Sequence, residues 1–292
     1  YVISPKSSNV ISTFFFFFII GLLAVTYRGL FLIPITNPAE LKDSNIDIPI
    51  YGVLPMNDSV DNERLSQSLE SLIFNINTSE KFLNDGCKVI LISSPSPQNG
   101  KSFVSREISK KIARLNSKVV LLDNDWKRGD QHKAFDTKKI SYNDFLEIDE
   151  NSIENYKVED NLYLIPKITL LDNSFQLVYS NSFEEKLEFF KQKFDYIIID
   201  TPPILSVSDT LVLMSKADLS LIVARHNLTK INEIKQSIVI TEQTGSPFSG
   251  VIYNAYEKPS SYYGYYGYYG NYDYQYYAKK YLYSAYDYAK DK

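Results

Sequence analysis

Apolar and polar positions fall into blocks along this chain, and the block lengths suggest its elements. From Val10 to Ile35 the sequence is almost uniformly apolar; between Phe14 and Ile33 only Thr26, Tyr27 and Arg28 break the run. Roughly 20 such residues make a membrane-spanning helix, and a charge near its end reaches the interface along its own stem. A buried core helix is one alternative, but five consecutive phenylalanines with no polar face suit lipid better. A cleaved signal peptide is another, but the stretch has no small-residue cleavage site. After a polar connector from Asn37, Ile48–Leu54 reads as a strand or packed extension ending at Pro55. Leu65, Leu69, Leu72 and Ile76 then recur at helical spacing along residues 59–75 and one residue past them.

Five short apolar runs follow: Val89–Ile92, Val119–Leu122, Tyr196–Ile199, Leu219–Val223 and Gly250–Tyr253. Several lack polar alternation, as strands buried on both faces of a parallel sheet should. Helical stretches at Phe103–Leu115, Phe183–Lys193 and Ile231–Thr241 separate them. This alternation predicts an α/β fold, a doubly wound and mostly parallel sheet with crossover helices. Residues 137–182 resist reading, apart from a short strand at Leu162–Ile165. From Glu257 onward regular structure is expected to stop.

With 292 residues the chain holds one domain of about 200 residues plus appendages. A net charge of −4 and a pI near 5.4 argue against nucleic acid as a partner. The single cysteine, Cys87, excludes an internal disulfide, and two histidines make a histidine-based zinc site improbable.

The strongest local signal is the run from Lys88 to Phe103, where an apolar strand enters a loop ending Asn99-Gly100-Lys101-Ser102 and then a helix. Such a loop turns backbone N–H groups toward phosphates, and the helix N-terminus adds its positive end. Ser96, Pro97, Gln98, Asn99, Gly100, Lys101, Ser102 and Phe103 are the candidate nucleotide-binding residues. Lys101 is placed against the β- and γ-phosphates and the Ser102 hydroxyl on Mg²⁺. Gly100 is read as permitting close approach of the backbone. Pro95 stands where the strict pattern has glycine. Two further strands end in acid: Asp123 and Asp125 share one side by the period of two, and Asp200 follows Tyr196–Ile199. In an open parallel sheet, all three carboxylates converge on the loop.

The tail is of another kind. Tyr262, Tyr263, Tyr265, Tyr266, Tyr268, Tyr269, Tyr272, Tyr274, Tyr276, Tyr277, Tyr281, Tyr283, Tyr286 and Tyr288 alternate with Gly264, Gly267, Gly270 and polar residues. No core period runs through them, so a low-complexity, flexible segment is expected. Its phenols read as phosphoryl acceptors; an aromatic surface that stacks on a partner or on sugars is the plainer alternative.

The order GKS, LLDNDWKRG, IIIDTPP and a C-terminal tyrosine cluster resembles the bacterial tyrosine kinases of capsule and exopolysaccharide assembly. The residues SPK before the apolar run and IPIYGVLP after it resemble that family's junction between chain-length-determinant and kinase domains. The resemblance implies a P-loop fold of the partitioning-ATPase type, ATP with Mg²⁺, and a tyrosine tail that the enzyme phosphorylates itself. Lys101, Asp123 and Asp125 then match catalytic positions, Asp123 drawing the proton from the tyrosine. Ser102, Asp125 and Asp200 match metal ligands, and Asn254 matches a base-contacting asparagine; a strand-end turn is its alternative.

The implied organisation is a transmembrane segment with periplasmic flank (residues 1–37), a cytoplasmic connector and helix (38–86), a kinase domain (87–258) and a flexible tail (259–292). The implied location is the bacterial inner membrane, with membrane lipid, neighbouring copies of the chain, polysaccharide export machinery and a tyrosine phosphatase as partners. The chain departs from the family pattern at Pro95, Gln98 and Lys127, which Arg128 follows. It also departs at Gln67, Glu70 and Ile73, where the ring-forming helix of the family carries Glu, Arg and Arg. A silent nucleotide-binding scaffold and a partitioning-type membrane ATPase are the rival functions; Ser96 stands where the latter has a lysine.

Overall fold

The computed structural model describes residues 7–31, 33–44, 46, 48–56, 62–79, 82, 86–169 and 174–257. The whole tyrosine cluster lies outside them. In chain order the elements are α1 (Ser7–Phe31), α2 (Ala39–Asp43), β1 (Ile50–Pro55), α3 (Asn62–Asn77), β2 (Lys88–Ser93), α4 (Lys101–Arg114) and β3 (Val119–Asp123). There follow α5 (Gln131–Ala134), β4 (Ile140–Ser141), α6 (Tyr142–Leu146), β5 (Lys157–Glu159), β6 (Leu162–Ile165) and β7 (Ile168–Thr169). The last are α7 (Ser174–Val178), α8 (Asn181–Lys193), β8 (Tyr196–Asp200), α9 (Asp209–Met214), β9 (Leu219–Arg225), α10 (Ile231–Gln243) and β10 (Gly250–Tyr256).

Eight strands form one sheet in the order β1-β10-β9-β2-β8-β3-β6-β5. Every pairing is parallel except β5 with β6. The reason lies in the apolar runs. Val89 and Leu91 join one core while Ile90 and Ile92 join the other; Val120 and Leu122 part from Val119 and Leu121 in the same way. Since successive side chains point to opposite faces, only a sheet covered on both sides buries such runs whole. Helices α8, α9 and α10 supply Leu187, Leu213 and Ile234 to one layer, and α3 and α4 supply Leu72 and Ile108 to the other.

All five expected strands are present, and the sheet is wider than they suggest. β1 adds to one edge beside β10, its Pro55 standing at the strand end where a missing N–H is tolerated. Residues 137–182 hold a 3₁₀ turn (Ile153–Tyr156) and several elements of two to five residues, too short to carry a period.

Helix α1 carries the apolar run as far as Phe31, whereas Ile35 at the end of the run is buried in the core of the domain. Phe14, Phe15, Phe16, Phe17 and Phe18 are each at least 58% exposed. Among the described residues, no helix is long and apolar enough to cross a membrane. The side chains of this helix are described only from residue 11 to 26, so the expected span becomes a proposal, taken up below.

Candidate functional site

β2 and β8 are neighbours, yet the chain leaves β2 for α4 on one face and β8 for α9 on the other. Divergence of this kind opens a crevice beyond the strands' carboxyl ends. The two exits are bonded together. Thr201 Oγ1 donates to the Ile92 carbonyl (3.0 Å), Ser93 Oγ to the Pro202 carbonyl (3.0 Å), and the Ile204 amide to the Ser94 carbonyl (2.9 Å).

The loop over residues 94–100 is braced from the last two strands. Asn254 Nδ2 donates to the Asn99 carbonyl (3.1 Å) and Arg225 Nη1 to the Gln98 carbonyl (2.9 Å). Gln98 takes a φ of 68°, a left-handed conformation in which glycine is at ease. Gly100 has φ 89°, and a Cβ there would lie 2.2 Å from Asn254 Nδ2. Besides the phosphate approach expected from sequence, the absence of a side chain lets Asn254 reach the loop. Lys101, Ser102 and Phe103 form the first turn of α4, and Ser96 and Pro97 lie at the loop's outer bend.

The carboxylates converge as expected, but not by strand period alone. β3 stops at Asp123, so Asp125 lies beyond it and is placed by its own turn, where the Arg128 amide donates to Asp125 Oδ1 (2.9 Å). Asp125 Oδ2 meets Lys101 Nζ at 2.9 Å. The residue that ties the others together, Gln131, carries no signal in the sequence. It is fully buried at the start of α5. Its backbone N–H donates to Asp123 Oδ2 (3.1 Å), and its Nε2 donates to Asp200 Oδ2 (2.9 Å) and to the Ser102 carbonyl (2.8 Å). Gly129, the last residue of the LLDNDWKRG run, stands against the same carboxylate: a Cβ there would lie 2.1 Å from Asp123 Oδ1.

Three acids in one buried place repel one another, and the electrostatics follow. Burial, then repulsion from Asp200, pushes the Asp123 carboxyl up to about 8. Asp200 is likewise raised by burial, against the opposing pull of Lys101. For Lys101 burial works downward, but Asp200, Asp125 and Asp123 together hold it above its usual value.

The residues present fit a hydrated Mg²⁺. Among the described residues no group of three or more His, Cys, Asp and Glu could hold a metal alone. Mg²⁺ does not need one, since it keeps water and takes one or two carboxylates plus phosphate oxygens. Asp123 Oδ1 and Asp200 Oδ1 are both buried without a hydrogen-bond partner, as acceptors awaiting a donor or a cation would be. A separate cleft of about 360 Å³ borders Gln98 and is lined by Met56, Arg225, His226, Leu228, Ala255 and Glu257; Asp123, Asp125 and Asp200 do not line it.

A mostly parallel sheet with a phosphate-type loop at its switch point and acids on the flanking strands defines a P-loop nucleotide-binding protein. A family model described as an AAA domain matches residues 87–244, and the chain belongs to that family. Its relatives carry a narrower name. The chain is 28% identical over 293 residues to the tyrosine-protein kinase ptk of Acinetobacter johnsonii (89% of this chain, 38% of the relative). It is 27% identical over 281 residues to the tyrosine-protein kinase wzc of Salmonella typhimurium (87% and 39%). It thus spans under two-fifths of the length of these relatives. In fold it is similar to the kinase domain of Escherichia coli tyrosine kinase ETK, with a TM-score of 0.68 at 23% identity over 80% of this chain and all of that one. The BceF tyrosine kinase domain gives 0.66 at 22% identity, covering 77% and 100%. The expected resemblance to bacterial tyrosine kinases is thereby upheld.

Proposed function

We propose that this chain is the catalytic part of a membrane-attached protein-tyrosine autokinase that transfers the γ-phosphoryl group of ATP to tyrosines of its own tail. One observation carries the reading: Lys101, Asp123, Asp125 and Asp200 meet at the mouth of a P-loop, in a chain whose relatives are named tyrosine kinases. Lys101 exchanges Asp125 for phosphate oxygens, and Asp123 accepts the phenol proton as the phenol oxygen bonds to phosphorus and ADP leaves. Ser102, Asp125 and Asp200 are the residues that would hold Mg²⁺, which neutralises charge on the phosphates when bound. Asn254 and the cleft beside Gln98 serve the nucleoside end.

The exposed phenylalanine face of α1 supports anchorage of residues 14–33 in the inner membrane, with lipid as its partner. ATP chemistry then puts the domain from residue 38 onward in the cytoplasm and residues 1–9 in the periplasm. By the same reading the partners are further copies of the chain, polysaccharide export machinery and a tyrosine phosphatase. A ring built through Gln67, Glu70 and Ile73 has little support, because Ile73 is 4% exposed and Glu70 Oε1 is bound 2.6 Å from Lys111 Nζ.

The left-handed Gln98 favours a second reading, a weak or silent nucleotide-binding scaffold. Incubation of the purified chain with ATP and Mg²⁺, followed by phosphotyrosine blotting and mass mapping, separates the two. The autokinase predicts label within residues 262–288 that is lost in Lys101→Ala. Nucleotide binding with no label would establish the scaffold, and ATP hydrolysis with no label the partitioning-type ATPase.

A further inference from the structure

Gln131 is not among the residues that the family resemblance or the motifs pick out, yet its contacts are the most exacting in the site. It is fully buried, and its carboxamide has three polar neighbours. Nε2 donates to Asp200 Oδ2 (2.9 Å) and to the Ser102 carbonyl (2.8 Å), and Oε1 accepts from Arg106 Nη1 (3.3 Å). The amide can point only one way, since turning it over would set its oxygen against two acceptors and its N–H₂ against the guanidinium. With its backbone N–H on Asp123 Oδ2 (3.1 Å), this one residue occupies one oxygen of Asp123 and one of Asp200. The other oxygen of each, Asp123 Oδ1 and Asp200 Oδ1, has no hydrogen-bond partner.

We infer that Gln131 is the positioning residue of the site: it clamps two carboxylates and the Ser102 turn in one register and keeps their free oxygens for the metal and the acceptor phenol. The inference rests on the kinase reading for the identity of the acceptor, but its metal half stands without it. Three groups that must act on one phosphoryl group come from three separate elements, the start of α4 and the ends of β3 and β8, and Gln131 is bonded to all three. Arg106 on α4 sets the amide from outside and also lies 6.0 Å from the Phe103 ring. Groups that orient a ligand without touching the metal typically govern affinity by about 10- to 100-fold.

The test uses the full chain and three variants. Gln131→Glu keeps the shape but sets a carboxylate against Asp200 and the Ser102 carbonyl. Gln131→Ala removes the clamp. Arg106→Ala leaves the buried residue in place and removes one of the three polar contacts that orient its amide. Each is titrated with Mg²⁺ at fixed concentration of a fluorescent, non-hydrolysable ATP analogue, and the same analogue is titrated in EDTA. The expected result is that half-saturating Mg²⁺ rises by about 10- to 100-fold in both Gln131 variants, while affinity in EDTA changes by less than about threefold. Arg106→Ala shifts Mg²⁺ in the same direction by a smaller factor. A purely structural Gln131 would lower both affinities together with the melting temperature. That pattern, or an unchanged Mg²⁺ requirement in a folded variant, overturns the inference. If Gln131→Ala does not fold, Gln131→Glu and Arg106→Ala decide. Phosphotyrosine on the unsubstituted chain is measured alongside; its absence counts against the kinase reading alone, because the Mg²⁺ titration needs no transfer.

Discussion

Lys101 Nζ lies 2.9 Å from Asp125 Oδ2, and the two side chains are only 13% and 3% exposed. The one cation at the start of α4 that can serve a phosphate is thus already held by a carboxylate, and phosphate must compete for it. Removing one partner of a buried pair leaves the other charge stranded. Lys101→Met is therefore expected to lower stability by about 3 kcal/mol and phosphotyrosine formation by about 10²- to 10³-fold. Adding Asp125→Asn should restore most of the stability and none of the label. Urea unfolding and blotting of the same preparations check this; a double variant no more stable than Lys101→Met would show that the pair is not what holds the loop.

The raised Asp123 carboxyl makes the site sensitive to pH in a stated direction. Its folded value of about 8 exceeds the roughly 3.9 of a free aspartate, so the folded chain holds this proton more tightly than the unfolded one. The stabilisation is complete below about pH 4 and is lost as pH rises through about 8. The melting temperature should therefore fall between about pH 5 and 8 and level off above that, and Asp123→Asn should flatten the fall. As a base, Asp123 must be unprotonated, so kcat/KM should rise over the same interval in the unsubstituted chain. Parallel curves for the chain and Asp123→Asn would remove Asp123 from both roles.

Gly100→Ala should damage the loop twice. The φ of 89° costs about 1–2 kcal/mol for any side chain, and the new Cβ collides with Asn254 Nδ2. Pairing it with Asn254→Ala removes the collision but leaves the conformational cost, so part of the loss should return. Thermal melts of the two single variants and the double variant measure the split; full additivity would mean that the contact is unimportant.

Transfer between chains is expected from tail length: a low-complexity segment of about 30 residues that behaved as a random coil would reach tens of ångströms, about 5–6 Å times the square root of its length. A Lys101→Ala chain mixed with an active chain lacking residues 262–292 should acquire phosphotyrosine. Each phosphate adds about −1.5 to −2 charges, so phosphorylated tails should repel one another and the acidic site. The phosphorylated protein should therefore sediment as a smaller assembly than phosphatase-treated material. Absence of label on the Lys101→Ala chain would confine transfer to the parent subunit.

By itself the sequence determined the layered fold, the loop and the identity of the charged groups. Strand burial is written locally: Val89–Ile92 or Tyr196–Ile199 is apolar at every position, and only a sheet covered on both faces accommodates that. Only the tertiary structure decided which polar atoms meet. Lys101 finds Asp125 24 residues on, Gln131 finds Asp200 69 residues on, and Asn254 reaches back 155 residues to the Asn99 carbonyl. No period or spacing marks Gln131, because one buried amide is defined by what the crossovers bring to it. Gly100 was legible as a glycine of the loop, but its contact with Asn254 was not, since that side chain stands on the last strand of the sheet.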